Sequence, residues 1–321
     1  MNAFLRIVLI LIAVILAAIV AAYLALLRAD IPYATLDAKY ANPQSRFMDL
    51  PGNIRLHYRD QGNPSGPVVI MVHGFAASLH AWEPWVAILG KDYRIVTLDL
   101  PGQGLTRAPA TYGPSIAVYA DLVDDVAKRL NLGPYVIVGN SMGGGVAWSD
   151  ALRHPASVRA LVLVDAAGWP QEQVANADPP LVFRLLNSRV GQALIKNIDM
   201  RPMAGDGLKA AYVNRALVTP ALVDRYVELS RAPGHRDILL AIVGERPDGV
   251  TVDTFRHLNV PTLVMHGEAD KIIPFADGEG FAATIPGARF IAYPGVGHVP
   301  MEQIPAQSAA DLDAFLKSLK P

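Results

Sequence analysis

The stretch YVIVGNSMGGGVAWSD, residues 135–150, decides how this chain is read. It opens on Val136-Ile137-Val138, a β-branched run with the composition of a strand buried on both faces. Gly139-Asn140-Ser141-Met142-Gly143 then leads into small and apolar residues with the character of a helix. Strand, five-residue turn and helix form the setting in which G-x-S-x-G carries meaning. So tight a turn forces a strained backbone on its central serine, and the glycines let neighbouring strands and helices come close. The Ser141 hydroxyl would then stand clear of the sheet, in front of a helix N-terminus whose partial positive charge favours an anion. A phosphate-binding loop is disfavoured, because no Lys-Ser/Thr follows the glycines.

Around this stretch the chain alternates strand and helix. Residues 54–59 alternate as a strand should, and residues 68–72 form a buried-strand run ending in His73-Gly74-Phe75. Residues 94–99 read as another strand, followed by the tight-turn sequence Leu100-Pro101-Gly102-Gln103-Gly104. Residues 115–130 have helical spacing, with Asp121, Asp124 and Asp125 as a solvated face, and residues 158–165 are again a hydrophobic strand. Such alternation calls for an α/β fold with a mostly parallel, doubly wound sheet and helices on both faces. It stops over residues 171–257, where segments of helical pattern (181–186, 190–198, 208–217, 221–229 and 238–243) are separated by prolines. Strands resume at 262–266 and 289–293, and an amphipathic helix near 306–319 closes the chain. A helical insertion between strands of a parallel sheet belongs at the edge where ligands bind, in the manner of a lid.

The totals narrow the function classes. With 28 basic and 29 acidic residues the formal net charge is −1, which gives no footing for nucleic acid or another strongly charged partner. The absence of cysteine excludes disulfides, thiol catalysis and Cys-ligated zinc. No H-E-x-x-H occurs, and Asp99, Asp165 and Asp270 at strand ends need no metal to explain them, so neither metal nor cofactor is expected.

The N-terminus carries a second message. Residues 7–27 are apolar and uncharged, between Arg6 and Arg28, and as a helix would cover roughly 30 Å, a bilayer core. The competing reading is a cleaved secretory signal, but the run is longer than the usual apolar region and no A-x-A site closes it. Residues 1–28 are therefore read as a single-pass anchor. The basic residues lean toward a cytoplasmic N-terminus, which would put the remainder of the chain on the extracytoplasmic side. Residues 29–45, with Pro32 and Pro43, are polar and aperiodic and read as a linker, so the fold should not depend on anything before about Ala41.

Five motifs together resemble the α/β-hydrolase fold family over about residues 46–319: HGF at His73–Phe75, DLPGQG at Asp99–Gly104, GNSMGG at Gly139–Gly144, HGEADKIIP at His266–Pro274 and GVGHVPMEQIP at Gly295–Pro305. Each follows a strand, and their order, Ser then Asp then His, is that of the fold. The resemblance implies an eight-stranded sheet in a domain over residues 46–321, with a helical cap at about 168–258. It implies Ser141 as nucleophile, since a hydroxyl at neutral pH needs a base. His298, in the flexible Gly295-Val296-Gly297 loop, is the candidate base. Asp270 is where the resemblance puts the acid that orients His298, with Asp165 and Glu268 as alternatives. The backbone N–H groups of Phe75 and Met142 would form the oxyanion hole.

Nucleophile identity sorts the activities within the family. A serine disfavours the epoxide hydrolases and haloalkane dehalogenases, which attack through a carboxylate. Carbon–carbon bond hydrolases of ring-fission products share GNSMGG, yet usually carry Trp after the catalytic His and a Gly/Pro-rich oxyanion loop. Here Val299 follows His298, and Phe75-Ala76-Ala77-Ser78 stands in that loop. The remaining expectation is ester hydrolysis, similar to membrane-anchored monoacylglycerol lipases and bacterial carboxylesterases, on a small lipophilic ester. A non-catalytic binding module on the same fold is the alternative from another class, and fluorophosphonate labelling of Ser141 would separate them.

Overall fold

The computed structural model describes residues 3–170, 188–243 and 249–319. One eight-stranded sheet organises them. In chain order its strands are β1 Ser45–Leu50, β2 Ile54–Gly62, β3 Val68–Val72, β4 Arg94–Leu98, β5 Tyr135–Asn140, β6 Val158–Val164, β7 Thr262–Gly267 and β8 Arg289–Tyr293. They lie side by side as β1-β2-β4-β3-β5-β6-β7-β8. β2 is antiparallel to both its neighbours, and every pairing from β4 to β8 is parallel. Each motif expected at a strand end therefore falls at one edge of the sheet, where the C-termini of β3–β8 converge. Of the eight strands, β1 has no counterpart among the segments read from the sequence, because its residues alternate poorly in burial.

The central strands β3, β5 and β6 are largely apolar because both faces are covered. Ile70, Val72, Tyr135 and Ile137 point into one core with α4 (Ile116–Arg129) and α5 (Met142–Arg153). Their neighbours Val69, Met71, Val136 and Val138 point into the other, with Trp82, Trp85, Leu312 and Phe315. The period-two alternation of a strand thus feeds two cores at once. Trp82 and Trp85 flank the start of α3 (Glu83–Leu89), and Leu312 and Phe315 belong to the closing helix Pro305–Ser318. On α4 the expected solvated face is only partly so. Asp124 is buried, paired with Lys128 and lying 3.4 Å from His154.

Between β6 and β7 the described residues hold α6 (Arg189–Ile195), α7 (Arg201–Ala211), a 3₁₀ turn Arg215–Leu217, α8 (Pro220–Ser230), α9 (His235–Val243) and α10 (Val252–Arg256). The expected segment 181–186 lies outside the described residues. The segment 208–217 is not one helix: α7 ends at Ala211, and Tyr212 is extended. The cause is a tertiary bond, since the Ala211 carbonyl accepts the His298 N–H at 2.9 Å.

The stretch read as a linker is built into the fold. It contains α2 (Tyr33–Tyr40), whose Leu36 is buried with Leu105 of the sheet domain and Leu229 and Ala232 of the inserted helices. Arg107 pairs with Asp37 at 2.5 Å, Lys39 with Glu228 at 2.7 Å, and Arg236 with Asp30. Residues 28–41 form a strap binding the inserted helices to the sheet domain. An eight-residue helix with one buried side chain has no amphipathic signature and would be marginal alone; docking stabilises it. Ahead of it, α1 (Ala3–Leu26) is exposed along its length, and Phe4–Leu26 is long and apolar enough to cross a membrane.

Behind the Ser141 turn, α5 carries the fully buried Asp150, which accepts the Tyr135 hydroxyl at 2.7 Å. Burial, with the charges of Asp124 and Asp121, pushes its carboxyl up to about 7 against that hydrogen bond. The folded state therefore holds this proton more tightly than the unfolded one. The group's contribution to stability falls as pH rises from about 4 through about 7. Asp150→Asn keeps an acceptor for Tyr135 and removes the charge. Its Tm relative to wild type should be higher at pH 8 than at pH 5; an equal difference at both would mean that Asp150 does not titrate in this window.

Candidate active site

Ser141 sits in the turn between β5 and α5 with φ 55° and ψ −122°, a left-handed conformation foreign to an ordinary serine. The surroundings hold it there. Its N–H donates to Val164 O, and its carbonyl accepts the N–H groups of Gly144, Gly145 and Ala167 at 2.9–3.2 Å. Gly143 is the enabling residue: a Cβ there would lie 2.2 Å from the carbonyl oxygen of Val72 and 2.6 Å from that of His73. Without it α5 could not come so close to the end of β3. Ser141 thereby caps a twelve-residue helix, and Met142, the first residue of that helix, has an amide with no intrahelical acceptor.

The loop after β3 lies against this turn. A Cβ on Gly74 would come 3.1 Å from Ser141 Cβ, so Phe75 begins the segment beside the serine. Its side chain is half exposed. His73 braces this loop: Nδ1 donates to Gly74 O at 2.7 Å and Nε2 accepts Leu100 N–H at 3.1 Å. The first acceptor is a carbonyl and the second donor an amide, so the ring is one neutral tautomer, and burial lowers its pKa. Asp99, at the C-terminal end of β4, accepts Leu79 N–H at 2.7 Å, Leu105 N–H at 2.8 Å and His57 Nδ1 at 2.7 Å. Burial would raise its pKa, but the hydrogen bond and charge of His57 hold it well below the usual carboxylate range.

His298 and Asp270 meet on the far side. Nδ1 of His298 is 2.7 Å from Oδ2 of Asp270, both side chains being buried. Asp270 Oδ1 accepts the N–H groups of Ile272 and Ile273 at 2.7 and 3.1 Å. Burial opposes ionisation, yet the His298 hydrogen bond and charge and these two amides keep the Asp270 pKa lowered. Neither alternative acid touches His298 in this way. Asp165 bonds Gly267 N–H at 2.9 Å, and Glu268 is exposed.

Two contributions were not visible in the sequence reading. Asn140 Nδ2 donates to both Val164 O at 3.1 Å and His298 O at 3.0 Å, tying the Ser141 turn to the His298 loop. A buried polar residue at the end of an otherwise apolar strand was the signal. The second is the link from Ala211 to His298 described above, through which the inserted helices touch the same loop. A cavity of about 720 Å³ lies elsewhere: Tyr40, Arg59, His80, Glu83, Arg225 and Glu302 line it, and Ser141 and His298 do not.

A family model for the alpha/beta hydrolase fold matches residues 67–304. The chain is 26% identical over 276 residues to the monoacylglycerol lipase abhd6-B of Xenopus laevis, covering 84% of this chain and 81% of that one. It is 27% identical over 286 residues to the 2-hydroxymuconate semialdehyde hydrolase of Pseudomonas sp. (strain CF600), covering 88% and 97%. Among solved structures, a membrane phospholipase A described as a bacterial virulence factor superposes with a TM-score of 0.72 at 24% identity, over 99% of each chain.

Gly143→Ala should destabilise by about 1–3 kcal/mol or more, because both obstructing atoms are main chain. Gly145→Ala, where the nearest atom to a new Cβ is Ile116 Cδ1 at 3.5 Å, should be neutral or stabilising by up to about 1 kcal/mol from helix propensity. Thermal melts of the pair check this; equal Tm values would remove Gly143 as the enabling contact.

Proposed function

This chain belongs to the alpha/beta hydrolase fold family, and we propose that it is a serine hydrolase cleaving small lipophilic carboxylic esters, such as monoacylglycerols, through an acyl-enzyme. The observation that carries this reading is the 2.7 Å bond from His298 to Asp270, with Asn140 joining the His298 loop to the strained Ser141 turn. In this mechanism His298 takes the Ser141 proton as the hydroxyl attacks the ester carbonyl. Asp270, ionised and held by two amides, keeps the imidazole in the required tautomer and stabilises the imidazolium. The Met142 and Phe75 N–H groups receive the developing oxyanion, with the α5 dipole behind them. His298 returns the proton to the leaving alcohol, and a water, activated the same way, releases the acid.

Residues at about 168–258 act as the cap in this reading. Their described helices expose Leu194 and Met203 at 51% and 62%, which suits an acyl chain and a lipid surface better than a polar substrate. The membrane phospholipase and the monoacylglycerol lipase support the same direction. The 2-hydroxymuconate semialdehyde hydrolase supports a second reading, carbon–carbon bond hydrolysis, against which stand Val299 after His298 and the segment Phe75–Ser78.

Ser141→Ala and His298→Ala should fold normally and each lose turnover on the order of 10⁴-fold, with the double variant little worse than either. Asp270→Asn should also lose most activity. The substrates to compare are esters with acyl chains from two to eighteen carbons and a ring-fission product. A preference for the ring-fission product would overturn the ester reading, and near-native kcat in His298→Ala would remove the base.

The N-terminal helix we read as an anchor retained in the mature protein. The full chain should resist extraction by salt and alkaline carbonate and yield to detergent. A chain starting at Arg28 should be soluble and hydrolyse a short, water-soluble ester at nearly the full rate. One starting at Ala41 loses the strap and should melt lower and lose activity, since Leu36 and the Asp37 and Lys39 ion pairs go with it. Recovery from cells of a chain already shortened past Leu27 would make the segment a cleaved signal instead.

A further inference from the structure

Asp165 is a buried carboxyl group to which the mechanism above gives no role. It ends β6 in a left-handed conformation, φ 45°, and its side chain is fully buried. Its N–H donates to Met265 O, and its Oδ1 accepts Gly267 N–H at 2.9 Å. Its Oδ2 is buried with no donor facing it. Beside it is the carboxyl group of Asp270: an oxygen of each lies within 4.8 Å of the other.

Two carboxylates so close in a buried site cannot both stay charged without a cation. The groups facing Asp165 are Asp270 and His266, with Tyr293 from β8 and, behind Asp270, His298. Tyr293 donates to Asp311 and is uncharged. His266 Nε2 stands 3.7 Å from Asp165 and 3.6 Å from Asp270, beyond hydrogen-bonding distance, with Glu279 also within electrostatic range. Nε2 is 3.3 Å from Ile273 O, which can only accept, so it carries the ring proton; Gly278 closes over Nδ1. That ring is neutral, and burial lowers its pKa. Among the described residues no lysine or arginine pairs with Asp165.

The division of charge follows from counting donors. Asp270 has three: two amides on Oδ1 and His298 on Oδ2. Asp165 has one, the Gly267 amide. The negative charge resides on Asp270. We propose that Asp165 is a neutral carboxylic acid whose O–H donates to Asp270, making it a positioning residue that fixes the Asp270 carboxylate for His298. This rests on the serine-hydrolase reading, in which Asp270 orients the base. In support, burial and then the Asp270 charge raise the Asp165 pKa well above the carboxylate range, while Asp270 stays low.

The test is kinetic, on the full chain in detergent with p-nitrophenyl butyrate as probe. Asp165→Asn places an amide donor where the O–H stands and keeps the acceptor for Gly267. It should keep kcat within about threefold and leave the acid limb of kcat/KM where it is in wild type. Asp165→Leu leaves Asp270 without that donor and should lower kcat about 10- to 100-fold with KM little changed. If the acid limb in Asp165→Asn falls by about one pH unit or more, wild-type Asp165 was an anion raising the affinity of the imidazole for its proton, and the proposal fails. It also fails if Asp165→Leu matches wild type. Loss of turnover in EDTA with recovery on adding a divalent cation would put a metal, not a proton, between the carboxylates. Should Asp165→Leu not fold, the Asp165→Asn pH profile decides. Ser141→Ala and His298→Ala assayed alongside separate the two levels: if they retain turnover, the serine-hydrolase reading itself falls, whatever the Asp165 variants do.

Discussion

The approach of α5 to the end of β3 is the constraint on which the site depends. With only a hydrogen at Gly143, the helix reaches the carbonyls of Val72 and His73, and the turn before it has to reverse within a few residues. That compression drives Ser141 into positive φ, a state costing about 1–3 kcal/mol that persists because neighbours over-determine it. The neighbours come from three directions. Val164 and Ala167 hold the serine backbone from β6, and Gly74 lies alongside from β3. Asn140 reaches across to the His298 loop. A serine held this way is presented by the scaffold rather than by its own rotamer preference, which is the condition for preorganised chemistry.

What was legible in the sequence follows from the range of the interactions involved. Strands β3 to β7 are legible because burial on both faces leaves runs such as Val68–Val72 with few or no polar residues to confuse them. The turn is legible because glycine and serine there answer a local steric demand. The strap is not: in YATLDAKY only Leu36 is buried, and what stabilises the helix is Arg107, Glu228 and the apolar cluster around Leu105, all distant in sequence. β1 fails for a similar reason, being an edge strand whose partner is supplied by β2. The end of α7 at Ala211 is set by an amide 87 positions away, and no window of sequence contains it.

The strap changes how the N-terminal helix relates to the rest. A flexible tether would leave the inserted helices indifferent to α1. Here Tyr23 near the end of α1 donates to Leu194 O, Arg28 pairs with Asp199, and Arg236 binds Asp30 and the Arg28 carbonyl. Leu194 lies in α6, Asp199 between α6 and α7 and Arg236 in α9, and a further inserted helix, α7, touches His298 through Ala211. The N-terminal segment, the insertion and the His298 loop are thus joined in sequence by hydrogen bonds and ion pairs.

Three buried aspartates illustrate how the fold assigns charge. Asp99 faces two amides and the His57 ring and is held low. Asp150 faces one phenol, leaves its other oxygen without a partner, and is pushed up to about 7. Asp165 faces one amide beside a carboxylate that already has three donors, and is raised well above its ordinary range. Burial penalises the charged form in all three; what differs is the number of donors that repay it. The amides on Asp99, Asp165 and Asp270 come from chain at or just beyond strand C-termini, whereas the phenol on Asp150 comes from the other end of β5, so the charge each group carries follows from topology. A carboxylate stays ionised where two loops converge on it, as they do on Asp99, or where its own loop turns its amides inward, as around Asp270. Where a single N–H reaches the group, the proton remains. By this rule Asp270, and not Asp165, can offer a full negative charge to an imidazole, even though both lie at the same edge and within reach of each other.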